Sequence, residues 1–282
     1  RLDRAESLYY AAVRVRPRDP AARFALGRFL AERGAQRVAV PLFEEALQFG
    51  GDATTIGAEL APLYLALGEY QALATLPSSP LTSGEKARAS WLEAHPTRFI
   101  APDSVLVASY RDVTADGYLG RIPIRVNGRA VDALIEPTNR GLVLSDSAAG
   151  VLHVRMFVEK EGQRERGAFP AAADSLGIGR LSITNAPLSV APIKVPATIG
   201  LDALARFAPT FDPRAGRVTL RVSGSVEPPP PSALSLSTLV KPNDWLVLEA
   251  NGWLSLREPA IARLLHEKRW TVDAKRGQLV LE

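Results

Sequence analysis

The hydrophobic pattern changes period once along the chain. Over roughly the first 95 residues, apolar positions recur every three to four residues, as on the buried face of a helix. Leu26, Phe43, Leu60 and Tyr64 lie on such stripes, separated by short polar stretches. Residues 78–83 are rich in Ser, Pro and Thr and predict a loop. A helix is expected over 83–94, with Ser83 as N-cap, ended by His95-Pro96.

From about residue 103 the apolar runs become short and alternate with period two. The pattern predicts strands over 105–110, 118–126, 129–135, 141–144, 153–159, 175–183 and 187–191. The second and third of these flank Asn127-Gly128, the dipeptide of a tight type I′ hairpin. A short helix is expected at Ser145-Asp146-Ser147, and another opens at Ile199-Gly200-Leu201-Asp202. A further hairpin is expected from 210–212 and 217–221 around Pro213-Arg214-Ala215-Gly216. The charged stretch 159–167 fits an exposed hairpin tip. Glu227 and prolines 228–231 predict a stiff extended linker. Beyond it, strands over 245–250 and 253–256 flank Asn251-Gly252, and a helix over 259–268 leads to a last hairpin.

The helical segment carries an internal period of 34. Leu26-Gly27, Gly34, Ala39, Phe43 and Ala46 are followed one period later by Leu60, Ala61, Tyr64 and Gly68. They are preceded by Ala5, Tyr9, Ala12 and Pro17. Small residues let antiparallel helices approach, aromatics fill the space beside them, and proline ends the second helix. This resembles the tetratricopeptide repeat family; a plain array of helical hairpins is the alternative.

Composition narrows the chemistry. The chain has 282 residues, of which 46% are hydrophobic and 23% charged, a globular balance. Cysteine is absent, which removes disulfides, thiolate metal sites and cysteine nucleophiles. His95, His153 and His266 have no paired spacing, so no metal site and no cofactor are expected. The net charge is +4. Basic residues are dispersed, with no aromatic interleaving or phosphate-binding glycine loop, so no nucleic-acid partner is expected. No apolar run reaches the roughly 20 residues of a transmembrane helix. Membrane association is expected only through a partner or a missing N-terminal anchor.

The β segment resembles the bacterial retropepsin-like aspartic proteases over roughly residues 105–222. The hairpin Val126-Asn127-Gly128-Arg129 and the strand Ala133-Leu134-Ile135 fit the entry to that family's catalytic loop. Gly141-Leu142-Val143-Leu144-Ser145 fits the exit. Ile199-Gly200-Leu201-Asp202 and the stretch from Phe211 to Leu220 fit the closing helix and hairpin. Where the family carries Asp-Thr-Gly, this chain has Glu136, Pro137 and Thr138. A working dyad needs two carboxylates close enough to share a proton. Glutamate is one methylene longer, proline lacks the threonine hydroxyl and a backbone donor, and threonine lacks the freedom of glycine. No catalytic residue is therefore expected. Arg140 is a possible charge partner for Glu136.

The run from Trp270 to Leu281 aligns without gaps onto the run from Pro209 to Leu220, each following an apolar helix. The tail thus reads as an echo of the closing unit of the protease-like lobe, or alternatively as an unrelated hairpin. No Asp-Thr/Ser-Gly occurs in it.

The expectation is an α+β multidomain chain. Tetratricopeptide-like helical repeats occupy 1–95, and a retropepsin-like β barrel or sandwich occupies 103–225. A proline-rich linker over 226–239 leads to a C-terminal hairpin–helix–hairpin extension over 240–282. The expected function is that of a pseudoenzyme: a non-catalytic scaffold subunit that binds other protein subunits through the repeats and the β domain. The resemblance implies a periplasmic or cell-envelope location. The alternatives are a peptide-binding module, or an aspartic-type peptidase using Glu136 as an unconventional carboxylate.

Overall fold

The computed structural model describes residues 2–76, 81–111, 118–157, 167–241, 244–249 and 252–282. It divides into two units, 1–94 and 95–282. The expected loop at 78–80, the charged tip over 159–166 and Asn251 lie outside the described residues.

The first unit is helical: α1 (Leu2–Val15), α2 (Pro20–Glu32), α3 (Gln36–Gln48), α4 (Ala53–Leu67), α5 (Tyr70–Thr75) and α6 (Ser83–Ala94), each packed on the next. Local chemistry sets their ends. Asp19 accepts the Ala21 N–H ahead of Pro20, and Asp52 accepts the Thr55 N–H. Gly68 closes α4 in the left-handed conformation. For α6 the cap is Thr82 and not Ser83. Its hydroxyl accepts the Glu85 N–H at 3.2 Å, while the Glu85 carboxylate accepts the Thr82 N–H at 2.7 Å. This reciprocal pair satisfies two otherwise orphaned donors. Leu26, Phe43, Ala39, Ala46 and Leu60 are buried in one core. Gly27 lets the Phe43 ring of α3 lie close against α2, since a Cβ there would sit 3.0 Å from that ring.

The second unit holds strands β1 (Arg98–Ile100), β2 (Val105–Ser109), β3 (Arg121–Val126), β4 (Arg129–Glu136) and β5 (Leu142–Ser145). They are followed by α7 (Asp146–Leu152), β6 (Arg155–Met156), β7 (Phe169–Ile178), β8 (Leu181–Ala191), β9 (Ala197–Gly200) and α8 (Leu201–Ala205). The chain then runs through β10 (Thr210–Asp212), β11 (Arg217–Arg221), β12 (Leu234–Lys241), β13 (Asp244–Glu249), β14 (Gly252–Ser255), α9 (Pro259–Glu267), β15 (Trp270–Asp273) and β16 (Gln278–Leu281). The chain is thus α+β, as its pattern predicts.

Strands β8, β5, β9, β4, β3 and β7 form a ring, closed by pairing of β7 with β8; β1 and β6 attach at its rim. Closure removes the exposed edges that an open sheet would present. Asn127 and Gly128 both have positive φ, and their turn places Val126 opposite Arg129. A second sheet runs β14-β13-β12-β16-β15-β10-β11-β2. Both sheets contribute to one apolar core, which includes Ile122, Ile135, Leu144, Ile199, Phe211 and Trp270.

Several expected boundaries differ. The single strand over 175–183 is the meeting of β7 and β8, with Ile178 opposite Leu181 across Gly179-Arg180. Gly179 takes the positive φ this turn needs. The helix expected from Ile199 begins at Leu201, because Ala197–Gly200 form β9. The strand expected over 153–159 is described only as the short β6. The stretch 226–239, expected as a linker, gives residues 234–239 to β12. The tail from 240 shares a sheet with β10, β11 and β2. At the hairpin expected around Asn251-Gly252, Glu249 pairs with Gly252, so Gly252 belongs to β14 and not to the turn.

Candidate functional site

The loop carrying Glu136, Pro137 and Thr138 is held between buried strands. β4 pairs in parallel with β9, Glu136 lying opposite Gly200, and β5 pairs with β9 from the other side, Leu142 opposite Ile199. All four residues of β5 and of β9 are buried. Residues 137–141 therefore cross over the end of β9, and Glu136 stands at the last position of β4.

The Glu136 carboxylate is engaged by its own loop. Oε1 accepts the Thr138 hydroxyl at 2.8 Å, and Oε2 accepts the Asn139 side-chain amide at 2.9 Å. Asn139 also donates to Oγ1 of Thr198, a β9 residue 1% exposed, at 2.7 Å. The triplet and Asn139 thus form one network anchored in the barrel core. Pro137 lies at the turn between them and offers no backbone donor.

Asp202 supports the loop from below. Its carboxylate accepts the N–H of Gly141 at 3.0 Å and of Ala203 at 2.8 Å. The N–H of Gly200 donates to the Gly141 carbonyl at 2.7 Å. Burial pushes the Asp202 carboxyl above the usual carboxylate range. The two backbone donors and the nearby charge of Arg140 act in the opposite sense. Gly200 is required sterically: a Cβ there would overlap the Asn139 carbonyl and the Asp202 carboxylate.

Asn139, Thr198 and Asp202 were not singled out by the pattern of the sequence. Asp202 lies within the quoted Ile-Gly-x-Asp motif, a signal without a role attached. Thr198 and Asn139 meet only through the pairing of β4 with β9. Among the described residues, no group of three or more His, Asp or Glu side chains is placed to hold a metal ion. No described helix is long and apolar enough to cross a membrane.

No protein-family model matches this sequence, and no curated protein matches it. Among solved structures it is similar to a retropepsin-like aspartic protease from Rickettsia conorii. The TM-score is 0.30 and the identity 18%, over 44% of this chain and 92% of that one.

Proposed function

We propose that this chain is a non-catalytic interaction subunit, built on an aspartic-protease-like β fold and preceded by tetratricopeptide-type helical hairpins. The observation that carries this reading is the engagement of Glu136 by its own loop. Both carboxylate oxygens accept hydrogen bonds from Thr138 and Asn139 of the same loop. A carboxylate that activates water in a dyad must approach a second carboxylate and share its proton. This one is spent on closing a turn. The motif order on either side of the triplet supports the protease-like fold, and the same resemblance is the ground for placing the protein in the cell envelope.

The partner class is protein. Leu8 and Val15 lie seven positions apart on α1, hence on one face, and are 62% and 78% exposed. Exposed apolar side chains grouped on a helix face suit the docking of another chain.

The test is hydrolysis. The purified chain, incubated with an unfolded protein between about pH 3 and pH 8, is expected to release no peptides. Cleavage blocked by pepstatin and abolished in Glu136→Gln overturns the reading. In parallel, a partner captured by the intact chain is expected to be lost in the double variant Leu8→Glu, Val15→Glu.

A further inference from the structure

The second sheet is arranged about a local two-fold axis. At its middle, β10 and β15 pair antiparallel with Thr210 opposite Thr271, and their hydroxyl oxygens are 2.8 Å apart. In the gap-free alignment of 209–220 with 270–281 these two threonines are the same residue. Each therefore faces its own counterpart, which is the condition for a two-fold axis between identical strands. The neighbouring contacts obey the same exchange. Phe211 lies opposite Trp270, while the N–H of Val272 donates to the carbonyl of Pro209.

The turns repeat as well. Asp212 accepts the Ala215 N–H at 2.9 Å, and Asp273 accepts the Arg276 N–H at 3.1 Å. Gly216 and Gly277 follow at φ +61° and +60°. The correspondence extends to strands the alignment did not include. β11 pairs with β2, and β16 pairs with β12. Next to these, the N–H of Tyr110 donates to the Gly216 carbonyl and the N–H of Thr238 to the Gly277 carbonyl. One residue on, Arg111 bridges Arg121 at the start of β3, and Leu239 pairs with Leu246 of β13. Each of β2 and β12 is then followed by a pair of antiparallel neighbouring strands, β3–β4 and β13–β14.

We infer that residues 234–282 are a shortened second copy of the lobe formed by residues 105–221, folded back so that its hairpin fills the β10 edge within the same chain. The shortening is one continuous piece. Between β4 and α8 the first copy carries 137–200, which hold the Glu136 loop, β5 to β9 and α7. Between β14 and α9 the second copy carries only 256–258. What survives is the part that pairs; what is gone is the counterpart of the loop-bearing half. Without the second copy, the β10 edge would be open to the same edge of a second molecule about this axis. That edge is already taken by a copy that has no such loop.

This inference shares the protease-like fold with the reading above but is independent of whether Glu136 is chemically silent, so its test is separate. The chain has no cysteine. In the double variant Thr210→Cys, Thr271→Cys, two directly opposed residues of neighbouring strands are within disulfide reach. Oxidised over a hundredfold range of protein concentration, it is expected to lose two mass units per chain and to stay a monomer on a non-reducing gel. Covalent dimer that increases with concentration overturns the inference, as does a folded protein with both thiols free. Should that variant not fold, Ser225→Cys, Lys275→Cys reads the same pairing from the surface. There the Lys275 ammonium donates to the Ser225 hydroxyl at 2.7 Å and to the Ser223 carbonyl at 2.9 Å. A short bismaleimide is expected to join these thiols within one chain; joining two chains refutes the inference.

Discussion

Glu136→Ala separates a structural carboxylate from a catalytic one by the sign of its effect on stability. The substitution removes both acceptors of the loop network. The Thr138 hydroxyl loses its partner at 2.8 Å, and one Asn139 N–H loses its partner at 2.9 Å, while the Asn139–Thr198 bond remains. A hydrogen bond to a charged group contributes about 1.5–3 kcal/mol net. Glu136 and Thr138 are half-buried, so water replaces part of the loss, and the combined cost is about 2–3 kcal/mol. For a unit of this size each kcal/mol moves Tm by about 2–4 °C, giving a fall of about 4–12 °C. Glu136→Gln keeps one oxygen, and the Asn139 amide can turn to suit it. Its cost is about 1 kcal/mol. A catalytic carboxylate is retained at the expense of stability, and replacing it is neutral or stabilising. Thermal unfolding followed by tryptophan fluorescence reads the β unit, because Trp245, Trp253 and Trp270 lie there and only Trp91 in the helical unit. An unchanged or raised Tm in both variants refutes the structural role assigned to Glu136.

Gly200→Ala drives a methyl group into the Asn139 carbonyl and the Asp202 carboxylate, an overpacking worth about 1–3 kcal/mol; an unchanged fluorescence-detected Tm speaks against this close approach. Asp202 has a carboxyl raised by burial above its ordinary 3.8. Its stabilising contribution is therefore complete at low pH and is lost as pH rises through the folded-state value. Asp202→Asn is expected to flatten that decline in urea midpoints measured at successive pH values, and parallel curves for the two proteins contradict it. Gly27→Val places branched carbon against Phe43, whose ring already lies 3.0 Å from a Cβ at that position. The expected loss is about 1–3 kcal/mol in the helical unit, read as an earlier loss of ellipticity at 222 nm with the β-unit fluorescence transition in place. Coincident displacement of both transitions argues against a cost confined to α2 and α3.

Elements with a local signal were legible from the sequence. Asn127-Gly128 between alternating strands announces the β3–β4 hairpin, and both residues adopt the positive φ the turn requires. The strand β9 was not legible, because Ala197–Gly200 is a uniformly buried run with no alternation and passes directly into α8. β12 had a signal in the alternation of Leu234, Ser235, Leu236 and Ser237, outweighed by the prolines immediately before it. The Gly179-Arg180 turn was hidden because apolar residues continue at regular spacing on both sides. The site divides in the same way. The triplet Glu136-Pro137-Thr138 is visible in the sequence through the motifs that flank it. The bond of Asn139 to Thr198, and those of Gly141 to Asp202, join residues about sixty positions apart and exist only once β9 lies between β4 and β5.

That division explains how the fold and the triplet can part company. The interactions that fix the loop's position come from outside the triplet. Gly200 makes room for it, Asp202 holds the Gly141 N–H, and Thr198 anchors Asn139. None of these contacts requires an aspartate at 136, a threonine at 137 or a glycine at 138. The triplet is therefore free to change without unfolding the ring, provided its new polar groups find partners. They do so locally: the Glu136 carboxylate accepts the Thr138 hydroxyl and the Asn139 side-chain amide. Glu136, Pro137 and Thr138 thus form a self-contained turn with Asn139, in which hydrogen bonds compensate the Glu136 carboxylate.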